Sequence, residues 1–328
     1  MIDINFQKTE QHILKEFKFE NNKVLNDLPV EYITFGTPLY DDNNHIKNAI
    51  VYCHGSSGYS GSVKRIKEII GENKPIDLSK FFIISLSTLG SPNSASPSTT
   101  KLQSDFPEYT IKDMVNFQRE FLKEKYNITH LKGIIGNSMG GFEALTWAIT
   151  YPDEMDFIIS LVSGYRSAGQ SYALTEISTH ILKSDPDYNN GKYTKPLTRS
   201  LEIADEINYP FGVSVKSYLD LSKEEMHEQL DEMRKETSIT DANDVIYRNN
   251  ASNNYNVKNL LKFIKAKSLL IGIEEDQFFP PDTEVIPMHD LIENSKLIIF
   301  NSKRGHIGSN ELTKINEDIE EFIKEFKE

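Results

Sequence analysis

Ser138 lies in the stretch Gly136-Asn137-Ser138-Met139-Gly140, between an apolar run and a helical pattern. A G-x-S-x-G at a strand-to-helix junction holds a serine hydroxyl clear of a sheet, on a turn too tight for side chains at its flanks. Gly136 and Gly140 lack the Cβ that such a turn excludes. The turn also puts the Met139 N–H at a helix N-terminus, where it can donate to a developing negative charge. The chemistry implied is nucleophilic attack on an acyl carbon through an acyl-serine.

A serine hydroxyl is a weak nucleophile at neutral pH. It needs a base for its proton and a third group that orients the base. Of eight histidines, His306 is best placed, in Arg304-Gly305-His306-Ile307-Gly308, after the last strand-like run. His12, His45, His130, His180, His227 and His289 stand in polar or helical contexts that suit a solvated side chain. His54 precedes Ser138, which breaks the chain order serine, acid, histidine. Three carboxylates, Glu274, Glu275 and Asp276, follow the run 268–273 and compete for the third role. A second N–H for an oxyanion is expected from the loop His54-Gly55-Ser56-Ser57-Gly58, with the Ser56 N–H pairing with that of Met139. That loop lacks the spacing G-x-G-x-x-G and a following Gly-Lys-Ser/Thr, so it does not read as a phosphate cradle.

The elements that must position these groups are legible as apolar runs at 49–53, 81–86, 132–136, 157–162, 268–273 and 296–300, after an early alternating strand at 30–36. Runs without alternation suit strands covered on both faces. Helical patterns at 110–125, 139–151 and 311–326 fall between or after them, so the fold class is α/β with a mostly parallel sheet flanked by helices. The rhythm stops between 165 and 256, where helical patterns occupy 172–183, 196–207 and 222–236. The division expected is a core of residues 1–164 and 257–328, with 165–256 a helical lid inserted over the mouth of the sheet. Ser222-Lys-Glu-Glu225 reads as a capping box, and Met226, Leu230 and Met233 form one apolar face that offers a homodimer contact.

Composition narrows the partners. The net charge of −13 argues against nucleic acid or an anionic membrane. The single cysteine, Cys53, excludes internal disulfides and suits a reducing compartment. The N-terminus lacks the pattern of a signal peptide and no stretch approaches a membrane span, so a cytoplasmic protein is expected. Asp185 to Pro196 departs from a calcium loop at its glycine and at its last ligand position, and no His/Cys/Asp/Glu set has zinc spacing. Metal-free chemistry on a small ester or thioester is expected, with no bound cofactor.

The segment 136–152, with Ser138-Met-Gly-Gly141 and Leu145-Thr-Trp147, resembles the nucleophile turn of the homoserine O-acetyltransferase family. Phe106-Pro-Glu-Tyr-Thr-Ile-Lys-Asp-Met-Val115, Phe82 to Gly90, Asp185 to Tyr193, Ser217 to Leu219 and Asp241 to Tyr247 are also similar to segments of that family. Asp276-Gln-Phe-Phe-Pro-Pro281 resembles its triad aspartate followed by Leu-Phe-Pro-Pro, which selects Asp276 from the three carboxylates. The resemblance implies an α/β-hydrolase fold with a helical lid and a triad of Ser138, Asp276 and His306. It implies ping-pong transfer from acetyl-CoA or another acyl-CoA, as co-substrate, to an alcohol. Three positions depart from the family: Ile307 replaces the aspartate after the histidine, Asn93 to Pro97 replaces Gly-Ser-Thr-Gly-Pro, and Ser238-Ile239-Thr240 stands where Arg-Phe often precedes Asp-Ala-Asn. The acyl side is retained and the acceptor side altered. An esterase or thioesterase on the same triad is the alternative; a non-catalytic small-molecule-binding protein on the same fold is the alternative from another class.

Overall fold

The computed structural model describes residues 8–237 and 240–327. Eight strands, β1 (Glu10–Lys18), β2 (Val24–Phe35), β3 (Ala49–Cys53), β4 (Phe82–Leu86), β5 (Leu131–Asn137), β6 (Met155–Leu161), β7 (Lys267–Ile273) and β8 (Ser295–Phe300), form one sheet in the order β1-β2-β4-β3-β5-β6-β7-β8. The pairs β1–β2 and β2–β4 are antiparallel, and every pair from β4 to β8 is parallel. This is the α/β architecture expected from the runs of apolar residues.

Strands β3 and β4 are buried at every position, and β5 and β6 at all but one, because helices cover both faces. On one face, Met114, Phe117 and Phe121 of α1 (Ile111–Tyr126) pack with Leu145 and Trp147 of α2 (Met139–Thr150). On the other, Ile50, Phe157 and Ile271 meet Ile319 and Ile323 of the C-terminal helix. Helix α1 starts at a reciprocal cap between Thr110 and Asp113 and ends at Asn127 with φ 54°.

Strand β1 and the C-terminal helix are among the elements that differ from the expectation. Strand β1 has no expected counterpart. Its buried residues Leu14 and Phe17 are three apart, and the pairing skips Lys15 opposite Asp27, which has φ 54°. A strand interrupted this way loses its period of two. The expected helix 311–326 is divided into a 3-10 turn at Leu312–Ile315, a helix at Asn316–Ile323 and a second 3-10 turn at Lys324–Phe326. Ile315, with φ −128° and ψ 21°, breaks the first turn from the helix.

Between β6 and β7 the described residues form helices α3 (Gly169–Lys183), α4 (Thr198–Glu206), α5 (Tyr209–Gly212), α6 (Val215–Leu219), α7 (Lys223–Thr237) and α8 (Ala242–Asn253). They carry a small core of their own, with Leu182, Tyr193, Leu197, Leu201 and Ile246. Ser222 and Glu225 cap α7 reciprocally, at 2.8 and 3.2 Å. Helix α7 packs on α4, and Met226, Leu230 and Met233 are half-buried. Ser238 and Ile239 lie outside the described residues. The chain closes with α9 (Ile286–Leu291) and α10 (Asn316–Ile323).

Under the N-terminal turns of α2 lies a buried polar knot. The Glu143 Oε2 accepts from the Gln118 amide and from the Thr88 hydroxyl at 3.2 Å, while its Oε1 has no partner among the described residues. Burial pushes the Glu143 carboxyl up to about 8 from an ordinary 4.5. The folded state therefore holds a proton that the unfolded chain releases, and stability falls as pH rises from about 4.5 through about 8. Glu143→Gln keeps the shape without the titration. We expect the variant to match the wild type near pH 4.5 and to exceed it in Tm at pH 8, with a flatter pH profile in thermal denaturation.

Candidate active site

Ser138 occupies the turn between β5 and α2 with φ 56° and ψ −120°, a conformation that costs a non-glycine residue about 1–3 kcal/mol. Its N–H donates to the Leu161 carbonyl at 2.9 Å, and its carbonyl accepts from Gly141 at 2.8 Å. The neighbours are steric requirements. A Cβ on Gly136 would stand 2.1 Å from the Gly140 oxygen, and one on Gly140 would stand 2.1 Å from the Cys53 oxygen. The turn is thus pressed against the end of β3, and Ser138 keeps partial access to solvent.

His306 Nε2 is 3.0 Å from Ser138 Oγ, and His306 Nδ1 is 2.8 Å from Asp276 Oδ2. The structure therefore brings together three residues that are far apart in sequence. Asp276 is buried, and its Oδ1 accepts from the Phe278 and Phe279 amides at 2.8 and 3.1 Å. Each carboxylate after β7 has a different position. Glu274 is exposed, and Glu275 Oε2 accepts the Ser302 N–H at 2.8 Å, tying this loop to the one that carries His306. The Phe278 and Phe279 rings pack on the imidazole at centroid distances of 5.0 and 5.7 Å. Gly305, with φ 54°, turns the chain into His306 where a Cβ would stand 2.9 Å from the Ser214 nitrogen.

The turn 55–58 lies beside the serine: a Cβ built on Gly55 would be 3.4 Å from Ser138 Cβ. Neither the Ser56 nor the Met139 N–H donates to an acceptor among the described residues.

Sequence reasoning missed several residues around the site. Gln277 Nε2 donates to the Val213 carbonyl at 2.8 Å, and Ser214 binds the Lys303 carbonyl, so the α5–α6 segment is joined to both loops that carry the acid and the histidine. Ile307 is half-buried beside Gly212. The distant motif segments converge on one another. Asp244 accepts from the Ser98 N–H at 3.0 Å and from the Ser96 hydroxyl at 3.1 Å. Asn243 Nδ2 donates to the Gly191 carbonyl at 2.8 Å and to Gln103 at 2.7 Å. Tyr193 donates to Asp241 at 2.6 Å. These residues fasten α8 to the loops after β4 and α3. Arg248, also on α8, is buried and donates to the Gly90 carbonyl at 3.3 Å. Polar residues in an otherwise amphipathic helix were the available signal, but their partners lie about 50 to 150 residues away in sequence.

The chain resembles known proteins in sequence and in fold. Over 310 residues the chain is 44% identical to a protein of Methanothermobacter thermautotrophicus named "Probable acyltransferase", covering 94% of this chain and 96% of that one. A homoserine O-acetyltransferase of Methanosalsum zhilinae is 29% identical over 82% of this chain, which spans 62% of that protein's length. Among solved structures, the acetyl esterase MekB superposes with a TM-score of 0.86 at 24% identity, covering 98% of both chains, a likeness of fold. The family model described as the alpha/beta hydrolase fold matches residues 48–308. The chain belongs to the α/β-hydrolase family and is similar to members of it named acyltransferase and homoserine O-acetyltransferase.

Proposed function

We propose that this protein transfers an acyl group from a small thioester or ester to an alcohol through an acyl-enzyme on Ser138. The observation that carries the proposal is His306 bridging Ser138 and Asp276 at 3.0 and 2.8 Å. In the first half-reaction Ser138 Oγ attacks the acyl carbon while His306 Nε2 takes the hydroxyl proton. Asp276 accepts the Nδ1–H and stabilises the imidazolium that forms. The carbonyl oxygen becomes an anion and is held by the Ser56 and Met139 N–H groups. His306 then gives its proton to the departing thiolate or alkoxide. In the second half-reaction His306 deprotonates the acceptor, which attacks the acyl-serine and regenerates Ser138. An acyl-CoA is the donor class proposed, as diffusing co-substrate. Residues 165–256 act as the lid over residues 1–164 and 257–328, a role supported by the bonds of Gln277 and Lys303 to the segment before α6.

An active-serine fluorophosphonate is expected to add to Ser138, located by peptide mass spectrometry. Ser138→Ala and His306→Ala should each lower kcat by at least ~10⁴-fold, because members of a triad act as a unit. Asp276→Asn should lower it about 10⁴-fold, since an amide donor facing Nδ1 forces the imidazole proton onto the nitrogen that must accept from Ser138. An adduct elsewhere, or a Ser138→Ala variant with wild-type turnover, overturns the proposal.

The acceptor differs from homoserine. Ile307 offers neither a hydrogen-bond acceptor nor a counter-charge beside the histidine, and an ammonium left there unpaired costs on the order of a few kcal/mol. Steady-state assays with acetyl-CoA should therefore give homoserine a kcat/KM below ~10⁴ M⁻¹s⁻¹, at least about tenfold below that of an alcohol without an amino group. Equal rates for both would show that another residue answers the ammonium. Product formation unchanged by any alcohol would assign the enzyme to hydrolysis.

A further inference from the structure

The proposed oxyanion site includes one peptide, Gly55–Ser56, whose carbonyl is in hydrogen-bond contact with His54. This imidazole is fully buried beneath the turn. Its Nε2 faces the Thr88 backbone N–H at 3.1 Å and the Ser91 hydroxyl at 3.2 Å. A backbone amide can only donate, so Nε2 must hold a lone pair. A neutral imidazole then carries its proton on Nδ1. That nitrogen is 2.8 Å from the Gly55 carbonyl oxygen, which also accepts the Gly58 N–H at 2.9 Å.

In a trans peptide the carbonyl and the following N–H point in opposite directions. A Gly55 carbonyl bound on one side by His54 and Gly58 leaves the Ser56 N–H facing the other way, and Gly55 lies beside Ser138, where a Cβ added to it would be 3.4 Å from the Ser138 Cβ. Gly58 leaves the imidazole its place: a Cβ there would lie 2.7 Å from Nδ1. We infer that His54 is a positioning residue of acyl transfer, a neutral clamp whose Nδ1–H holds the Gly55 carbonyl so that the Ser56 N–H is aimed at the oxyanion formed at Ser138. Burial also pushes the His54 pKa down to about 4, so the clamp stays in one protonation state through the neutral range.

The inference rests on the acyl-enzyme reading of Ser138, and the test separates the two. Wild type, His54→Ala, His54→Asn and Gly58→Ala are compared as full chains with p-nitrophenyl acetate as reporter ester and phenylboronic acid as tetrahedral mimic. Their melting curves are recorded alongside. Loss of one oxyanion donor typically costs 10²–10³-fold in kcat. His54→Ala should therefore lose roughly 100-fold in kcat, with KM within threefold, and weaken boronate binding by a similar factor. In His54→Asn the amide nitrogen takes the place of Nδ1, and the rate should recover to within about tenfold of wild type. Gly58→Ala displaces the ring with His54 still present, and should lose at least about tenfold in kcat if the clamp acts as inferred. It serves as the test if His54→Ala does not fold. Folded His54→Ala with kcat and boronate affinity within threefold of wild type overturns the clamp, as does His54→Asn no better than His54→Ala. A Gly58→Ala variant with the wild-type rate overturns it too. Failure of wild type to take up fluorophosphonate at Ser138 overturns the acyl-enzyme reading and the clamp with it.

Discussion

The contact on which the site depends is the one between two turns that have no room for a side chain at Gly136 and Gly140. Gly140 lies under the Cys53 carbonyl, and Gly136 lies under the carbonyl of Gly140 itself. Because β3 and β5 are neighbours in a parallel sheet, their C-terminal turns emerge side by side. The missing Cβ at Gly136 and Gly140 lets the turn that carries the nucleophile press against the end of β3, beside the turn 55–58. The strained backbone of Ser138 is held by bonds to Leu161 and Gly141. Its position is therefore fixed by the sheet and not by the serine side chain, which stays free to react.

Two histidines at the ends of two parallel strands have opposite duties. His306 is bracketed by a carboxylate on one nitrogen and a hydroxyl on the other, which is the setting for an imidazole that gains and loses a proton. His54 is bracketed by a backbone donor on one nitrogen and a backbone acceptor on the other, which admits one neutral tautomer. The polar knot of Thr88, Gln118 and Glu143 adjoins the second histidine, since Thr88 supplies an N–H to His54 and a hydroxyl to Glu143. Behind His54 the buried groups are mostly hydrogen-bonded neutral ones, with the Arg248 guanidinium, bound to the Gly90 carbonyl, as a buried cation among them.

The parts of the fold legible in the sequence were those with a local signature. Buried parallel strands are unbroken apolar runs, and β3 was expected and found at the same residues, 49–53. Ser138 and His306 stood out because glycines bracket them at turns, and Asp276 because of the residues that follow it. β1 was illegible because its buried residues, Leu14 and Phe17, follow neither a strand's period nor a long enough helix's. His54 is excluded as the base by chain order, which says nothing about a clamp. Its role depends on a Thr88 amide 34 residues away, a partner with no sequence signature. The bonds of Asp244 and Asn243 were hidden for the same reason: long-range polar pairing is a property of the folded chain, whereas periodicity and turn chemistry are properties of the segment.

The helical segment and the sheet are joined on two sides of the site, and the two sides differ in kind. On the side of α8 the joint is a dense set of bonds through Asp241, Asn243, Asp244 and Arg248 to the loops after β4 and α3. On the side of α5 and α6 it is a few bonds to backbone carbonyls and an exposed ion pair of Lys303 with Asp220 at 2.9 Å, with an apolar contact of Ile307 near Gly212. Burial follows the same division: α8 is mostly buried, whereas α6 exposes Val215 and Leu219. Local opening in proteins begins where buried contacts are few. On the proposed acyl-transfer reading, substrates enter more easily at the α5–α6 side, next to His306, while the α8 side holds fixed the loops behind His54. On the proposed reading, Ile307 and the turn 55–58 are held by different joints, so a change at position 307 leaves the turn beside Ser138 in place.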